Sequence, residues 1–335
     1  MKILILGANG FIGNALVEKL LHNGGYQVYG LDLDDNKLGG SLGNSNFKFI
    51  DGDVNISNEW IEYHIKKCDV IIPLVAIATP NVYVKDPLKI FQLDFESNLK
   101  IVKWVAKYKK RVIFPSTSEV YGMCDDEKFD EYTSNLVLGP IQKSRWIYAC
   151  SKQLLDRVIT AYSEKNALSA TLFRPFNWIG PKLDSLEQAQ LGNGRVVTIF
   201  INNLKNNQDI VLVNDGSQSR SFTYLNDGIE ALMKIIQSDQ TKLNGKIFNI
   251  GNPDNKLTIR ELANLMIVEY NKLSSDSYTG KIISTPENEF YGPGYEDIPV
   301  RVPDISEARK HLGWVPTTNA ASAVRLTIES FMSYN

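Results

Sequence analysis

The chain has 335 residues and a mass of 37.7 kDa, enough to bury a large core without help from disulfides, metals or partners. Hydrophobic residues at 43%, charged residues at 22% and aromatics at 10% exclude a disordered, collagenous or coiled-coil chain. With 36 Lys plus Arg against 38 Asp plus Glu the formal charge is −2, which excludes a chain-wide electrostatic footprint for nucleic acid or an anionic membrane.

Short β-branched runs alternate with longer helical patterns through residue 175, the signature of βαβ units on a parallel sheet. Strands are predicted near Lys2–Leu6, Gln27–Leu31, Phe47–Ile50, Val70–Pro73, Arg111–Phe114 and Ala170–Phe173. Helices are predicted near Phe11–His22, Asn58–Lys66, Pro87–Tyr108 and Tyr148–Glu164. The strands are almost wholly apolar rather than alternating, as expected when helices cover both faces. Beyond Arg174 the pattern loosens into a Gly-, Asn- and Gln-rich stretch from Gly180 to Gly194. A helix follows, then a strand near Ile210–Val213 and helices near Tyr224–Gln237 and Thr258–Tyr270. The expected fold is α/β, a Rossmann-type doubly wound parallel sheet with a smaller C-terminal substrate-binding lobe. Residues 1–175 form the sheet domain, to which later segments return, and residues 176–335 form the lobe.

Cys68, Cys124 and Cys150 are an odd number at wide spacing with no C-x-x-C pair, so no disulfide framework or thiolate zinc site is expected, and a reducing cytoplasm suits them. His22, His64 and His311 share no ligand spacing, so no metal is expected. The N-terminus MKILILGANG offers an apolar run too short for a signal-peptide core, and the run Val70 to Ala78 carries Pro73. A soluble, unexported protein is the expectation.

Directly after the first strand comes Gly7-Ala8-Asn9-Gly10-Phe11-Ile12-Gly13, with glycines spaced G-x-x-G-x-x-G where a strand turns into a helix. A turn with φ > 0, close backbone approach to a pyrophosphate, and free N–H groups at the helix start all call for glycine there. The pattern alone is weak, but the preceding strand and following helix supply the required context. Gly7, Asn9, Gly10, Phe11, Ile12 and Gly13 are therefore assigned to a dinucleotide. The second strand ends at Asp32, whose carboxylate would bond the adenosine ribose and repel a 2′-phosphate, so NAD is expected over NADP. Asp34 and Asp35 read as solvated loop acids, with either as the alternative ribose contact if the strand runs further. Asp53 and Val54, after the third strand, are placed near the adenine, with helix capping the competing use of Asp53.

Near the end of the fifth strand the chain reads Pro115-Ser116-Thr117-Ser118-Glu119-Val120-Tyr121-Gly122, and later Tyr148-Ala149-Cys150-Ser151-Lys152. Tyr and Lys four apart share a helix face. A phenol titrates near 10 in water, so a tyrosine base at neutral pH needs positive charge beside it, from Lys152 and an oxidised nicotinamide. Y-x-x-x-K recurs by chance in chains of this length. Joined to the glycine loop and the Ser/Thr run, in this order, it becomes specific.

Here the chain resembles the extended short-chain dehydrogenase/reductase superfamily, whose members act on nucleotide sugars. Its runs HIKKCDVIIPLVAIATP (His64–Pro80), FPSTSEVYGM (Phe114–Met123), RWIYACSKQLLDR (Arg145–Arg157), LFRPFNW (Leu172–Trp178) and YGPGYED (Tyr291–Asp297) are similar to the UDP-glucuronate decarboxylase domains of bifunctional polymyxin-resistance enzymes. The formyltransferase domain of those enzymes has no counterpart in these residues, so only oxidative decarboxylation is expected. The resemblance implies that Thr117 and Tyr148 meet the sugar 4-hydroxyl and that Lys152 bonds the nicotinamide ribose. It puts Ser118, Glu119 and Arg301 at the sugar carboxylate, and Asn177, Arg195 and Arg220 around the uridine diphosphate. Ala78, Tyr83 and Tyr295 fall in the sugar pocket. Val211 departs from the pattern, standing where a lysine is implied near the nucleotide.

The implied reaction is NAD-dependent oxidation of UDP-glucuronate at C4, loss of carbon dioxide and release of UDP-4-keto-pentose. Related 4,6-dehydratases usually carry Thr-Asp-Glu where this chain has Thr117-Ser118-Glu119, and simple 4-epimerases usually lack the Glu. The alternatives are a UDP-xylose or UDP-apiose synthase, or another nucleotide-sugar 4-epimerase or 4,6-dehydratase. A Rossmann protein that only binds dinucleotide would need the glycine loop and Asp32 but none of Thr117, Glu119, Tyr148, Lys152 and Arg301. The helices near Pro87–Tyr108 and Tyr148–Glu164 are long and apolar on more than one face, and the resemblance implies that such helices pair two copies into a homodimer through a four-helix interface.

Overall fold

Along the first strand, Lys2–Leu6, the pleat sends Ile3 and Ile5 into one apolar cluster and Leu4 and Leu6 into another, all four sealed from solvent. Each such side chain contributes roughly 1.5–3 kcal/mol of burial. Both faces are covered, which is why the strand sequences carry no polar alternation. Helices Phe11–Asn23 and Leu225–Gln237 lie over the first face. Helices Asn58–Lys67, Asn98–Lys107 and Trp146–Glu164 lie over the second.

The computed structural model describes residues 1–333. Its main sheet has seven parallel strands, in the spatial order Lys246–Ile250, Ser169–Pro175, Arg111–Pro115, Val70–Pro73, Lys2–Leu6, Gln27–Asp32 and Phe47–Asp51. Chain order reverses on either side of Lys2–Leu6, and the crevice outside the carboxyl ends of the strands opens at that switch point. The strand Lys246–Ile250 is the segment that returns to the sheet, in register from Lys246↔Thr171 to Ile250↔Pro175. Its sequence signal is broken by Asn249, a fully buried amide that donates to the Phe129 carbonyl and accepts from the Tyr121 hydroxyl.

The helix expected over Pro87–Tyr108 is not continuous. Helical turns at Pro87–Ile90 and Asn98–Lys107 flank a π-helical stretch at Phe91–Ser97. Widening the turn frees carbonyls, and the Asn98 side-chain amide donates to those of Leu93 and Asp94, as well as to Val75 in the next loop. The stretch Gly180 to Gly194 also holds more order than its composition implied: a helix at Leu186–Gln190, whose start is capped by Ser185 accepting from the Gln188 N–H.

Beyond the sheet, Trp178–Ile179 pairs with Thr223–Tyr224, and Ile210–Val213 pairs with Ile282–Thr285. Ser219–Ser221 is flanked by Lys256–Thr258 and Val300–Arg301, which sets Arg301 directly beside Arg220. Among the described residues no helix is long and apolar enough to cross a membrane.

Candidate active site

The turn after the first strand is closed by backbone. Gly7 has φ of +88°, and a Cβ there would meet the Leu74 backbone at 3.0 Å. A Cβ at Gly13 would strike the Gly7 carbonyl oxygen. The helix Phe11–Asn23 therefore begins with its free N–H groups facing an unobstructed cradle, which fits a pyrophosphate.

A cavity of about 590 Å³ runs from this loop along the carboxyl ends of the strands into the C-terminal lobe. All the sequence-predicted site residues line it except Asn9, Asp32, Asp53 and Val54. Asn9 and Asp32 belong to the loop's scaffold: the Asn9 N–H donates to Asp32 Oδ2 at 2.7 Å, and Asp32 Oδ1 accepts from the Leu33 N–H at 2.8 Å. Burial pushes the Asp32 carboxyl upward from its ordinary range, against those two bonds. Asp34 is not merely a solvated acid, because its Oδ1 accepts from Asn9 Nδ2 at 2.6 Å. Asp53 spends its carboxylate on the Asn55 N–H and amide, in the turn leading to the next helix, and Val54 packs into an apolar cluster.

Two residues beyond the fifth strand, Arg111–Pro115, Thr117 is held in extended backbone, and its Oγ1 accepts from the Glu119 N–H at 3.2 Å, starting a 3-10 turn over Ser118–Tyr121. Across from it the helix Trp146–Glu164 presents Tyr148, stacked on Tyr83 at 4.8 Å between ring centres, and Lys152 one turn further. Lys152 Nζ donates to the Pro115 carbonyl at 3.2 Å and stands 3.8 Å from Asp94 Oδ1. Burial pushes the Tyr148 phenol well above its usual 10, with the carboxylates of Asp94 and Glu119 adding to the effect and a bond to Thr117 opposing it. Burial lowers Lys152, while Asp94 opposes that fall. Asp94 itself is pushed up to about 6 by burial, and its Oδ2 accepts from the Ile77 N–H in the loop that lines the cavity.

Charged groups gather at the far side of Tyr148. Glu119 Oε1 accepts from Arg301 Nη1 at 3.4 Å and its Oε2 from Arg145 Nη2 at 3.2 Å. Arg220 Nη2 donates to Asp297 Oδ1 at 2.6 Å, and its Nη1 to the carbonyls of Ser219 and Ile298. Burial, reinforced by the neighbouring Arg220, pushes Arg301 down to about 10. Three guanidiniums thus face two carboxylates, and the Nε atoms of Arg145 and Arg301 have no hydrogen-bond partner. Arg195 sits elsewhere, paired with Asp184 at 2.8 Å and lying over the Phe11 ring beside the glycine loop. Asn177, held at φ of +42°, has a buried Oδ1 with no partner. Val211 also lines the cavity, so an apolar side chain does stand where a lysine was implied.

Sequence reasoning missed Arg145, Asp94 and Asp297. Arg145 had a usable signal, since it precedes Tyr148 by three and Lys152 by seven, the spacing of one helix face. Asp94 and Asp297 had none, because nothing local marks an acid whose partner is distant in sequence.

The sheet, the glycine cradle and the Tyr148/Lys152 pair define a class. The chain belongs to the NAD dependent epimerase/dehydratase family, whose model matches residues 3–251. NAD is the cofactor, and the glycine cradle fits it. Among solved structures, the PbgP3 protein from Burkholderia pseudomallei is similar at 48% identity, over 99% of this chain and 96% of that one, with a TM-score of 0.90. At 24% identity, the UDP-glucuronic acid 4-epimerase from Bacillus cereus, solved with UDP-glucuronic acid and NAD, shares the fold over the full length of both chains with a TM-score of 0.81.

Proposed function

We propose that this protein oxidises UDP-glucuronate at C4 with NAD and releases carbon dioxide, giving UDP-4-keto-pentose. The observation that carries this reading is the surplus of positive charge at the sugar end of the cavity, three guanidiniums against two carboxylates. Buried charge without a counter-charge is costly, so this end is a seat for one more anion. A sugar bearing a carboxylate at C6 provides it.

When bound, the oxidised nicotinamide supplies the hydride acceptor and a positive charge. Tyr148 takes the proton of the 4-hydroxyl as hydride leaves C4, with Thr117 orienting that hydroxyl. Burial resists ionisation of the phenol, and Lys152, kept charged by Asp94, counters that resistance. The ketone formed at C4 lies β to the carboxylate. The C5–C6 bond then breaks, its electron pair passes into the enolate of that ketone, and carbon dioxide leaves. A proton delivered to C5 from the side of Ser118 and Glu119 completes the balance. Arg301 serves by orienting the carboxylate and stabilising the transition state, because holding the ground-state carboxylate tightly would only resist its loss.

Incubation with UDP-glucuronate and NAD should yield carbon dioxide and NADH in equal amounts with a keto-pentose product. Carbon dioxide without net NADH would assign a UDP-xylose synthase. An isomerised sugar with its carboxylate intact would assign an epimerase and end the decarboxylase reading.

The same reading carries a homodimer through the helices Asn98–Lys107 and Trp146–Glu164, where Leu154 and Cys150 lie exposed. A monomer at micromolar concentration by sedimentation would refute it. Three cysteines left as thiols fit a cytoplasmic enzyme.

A further inference from the structure

Glu119 is shared between two buried arginines that differ in their access to the cavity. Arg145 is sealed from solvent and stands behind Glu119, outside the cavity lining. Its backbone N–H donates to the Gly294 carbonyl at 3.2 Å, and its guanidinium lies over the rings of Trp146 and Tyr295, 4.4 and 5.3 Å from their centres. These contacts fix it in place. Arg301 lines the cavity on the short strand Val300–Arg301 and, among the described residues, has no aromatic ring beneath its guanidinium; Nε lacks a partner in both arginines, but only that of Arg301 belongs to a side chain lining the cavity. Both bonds to Glu119, 3.2 Å from Arg145 and 3.4 Å from Arg301, exceed the roughly 2.7–2.9 Å of a tight charge-assisted bond, so the carboxylate is held by two loose contacts, of which only that of Arg301 is open to the cavity.

We propose that Arg145 is the resident counter-ion of Glu119, which allows Arg301 to exchange its bond to Glu119 for one to the carboxylate of the incoming sugar acid. The inference rests on the proposed substrate and assigns a positioning residue to that site.

Charge balance is the physical reason. With Arg145, Arg220 and Arg301 set against Glu119 and Asp297, one added carboxylate brings the cluster to neutrality. Take Arg145 away and the same cluster is neutral before the substrate arrives and carries an uncompensated anion afterwards. Glu119 would then face the substrate carboxylate as a bare like charge. In a buried site that penalty is far larger than on a surface. Arg220 cannot replace Arg145, because its Nη2 is bonded to Asp297 at 2.6 Å and its Nη1 to two carbonyls.

The test is a binding measurement on the NADH-loaded protein, which cannot take hydride from C4 and so cannot turn over. Calorimetry would compare UDP-glucuronate with UDP-glucose, which lacks the carboxylate. Arg145→Met should weaken UDP-glucuronate by roughly 10- to 100-fold, the scale of a lost bond to a charged group, and leave UDP-glucose within about threefold. Adding Glu119→Gln to Arg145→Met removes the anion that lost its partner, so the double variant should regain most of the lost affinity. Arg145→Lys keeps the charge and should bind within about threefold of the parent. Three outcomes would overturn the proposal: parental affinity in Arg145→Met, no recovery in the double variant, or a loss in Arg145→Lys equal to that of Met. If Arg145→Met does not fold, the lysine and double variants still decide by the same criteria. A parent protein that binds UDP-glucose as tightly as UDP-glucuronate would instead refute the substrate reading itself.

Discussion

At the cofactor end of the cavity the determinants lie within Gly7 to Gly13 and act through backbone: a positive φ, a carbonyl no side chain can approach, a helix start with free N–H groups. At the opposite end, the proposed seat of the sugar acid, Glu119, Arg145 and Arg220 come from three separate segments and Asp297 and Arg301 from a fourth, and they act through side-chain charge. A backbone cradle is indifferent to its neighbours but intolerant of any added atom. A charge cluster tolerates changes of shape but not of balance. Tyr148 and Lys152 stand between the two.

Replacing Tyr148 with Phe should have the largest effect, lowering NAD reduction by roughly two to four orders of magnitude. Binding at both ends should survive, since one hydroxyl is lost. If NADH and UDP affinities collapse together, the two ends are not independent and the comparison breaks. Arg301→Met should cut carbon dioxide release by about 100-fold and slow the initial oxidation much less. Single-turnover kinetics following both signals would check this, and carbon dioxide released at the parental rate would move the carboxylate role to Ser118 and Glu119. Gly13→Ala sharpens the other side. The added methyl meets the Gly7 carbonyl, so melting and NADH titration should show a loss of about 1–3 kcal/mol in stability and cofactor affinity together, with UDP binding spared.

How much of this was legible in sequence follows the same division. The glycine loop and the first strands could be read because their signals are local: the pleat of Lys2–Leu6 and the spacing of Gly7, Gly10 and Gly13 sit side by side. Arg145 and Glu119 are 26 positions apart and Arg301 and Glu119 are 182 apart, so no window could pair them. Resemblance put Arg301 and Glu119 at one end of the sugar, but it did not supply the third charge. Helical periodicity predicted one helix over Pro87–Tyr108 because a widened turn leaves the apolar spacing nearly unchanged, and only the Asn98 amide betrays it. Asn249 hid a strand for the opposite reason, a polar residue where burial was complete.

The smallest expected effect lies outside the cavity lining, at the edge strand Lys246–Ile250. Glu131 is pushed up to about 7 by burial, although its Oε1 accepts from the Asn249 N–H at 2.6 Å. Its folded-state pKa is above its unfolded value, so the folded form holds the extra proton between them. Its contribution is full below about pH 4.5 and is lost as pH rises through about 7. Glu131→Gln should flatten that decline by roughly 1–2 kcal/mol in denaturant melts at pH 5 and pH 8. An unchanged slope would show that Glu131 is ionised throughout.

The helix Trp146–Glu164 carries a consequence of its own. Arg145 stands directly before its first turn, Tyr148 and Lys152 follow on the same face, and further along Asp156 accepts from Ser116 Oγ at 2.7 Å and Arg174 Nη2 at 3.1 Å. A rise of about 1.5 Å per residue makes this row a rigid gauge bolted to two neighbouring strands at its inner end. Slippage or rotation of the rod would move Tyr148, the proposed base, and Arg145, the proposed partner of Glu119, in the same stroke. Lesions along it should damage oxidation and carbon loss in concert, while lesions in Val300–Arg301 can separate them. The alignment of the two half-reactions thus rests on one piece of hardware, the helix that carries Arg145, Tyr148 and Lys152 together.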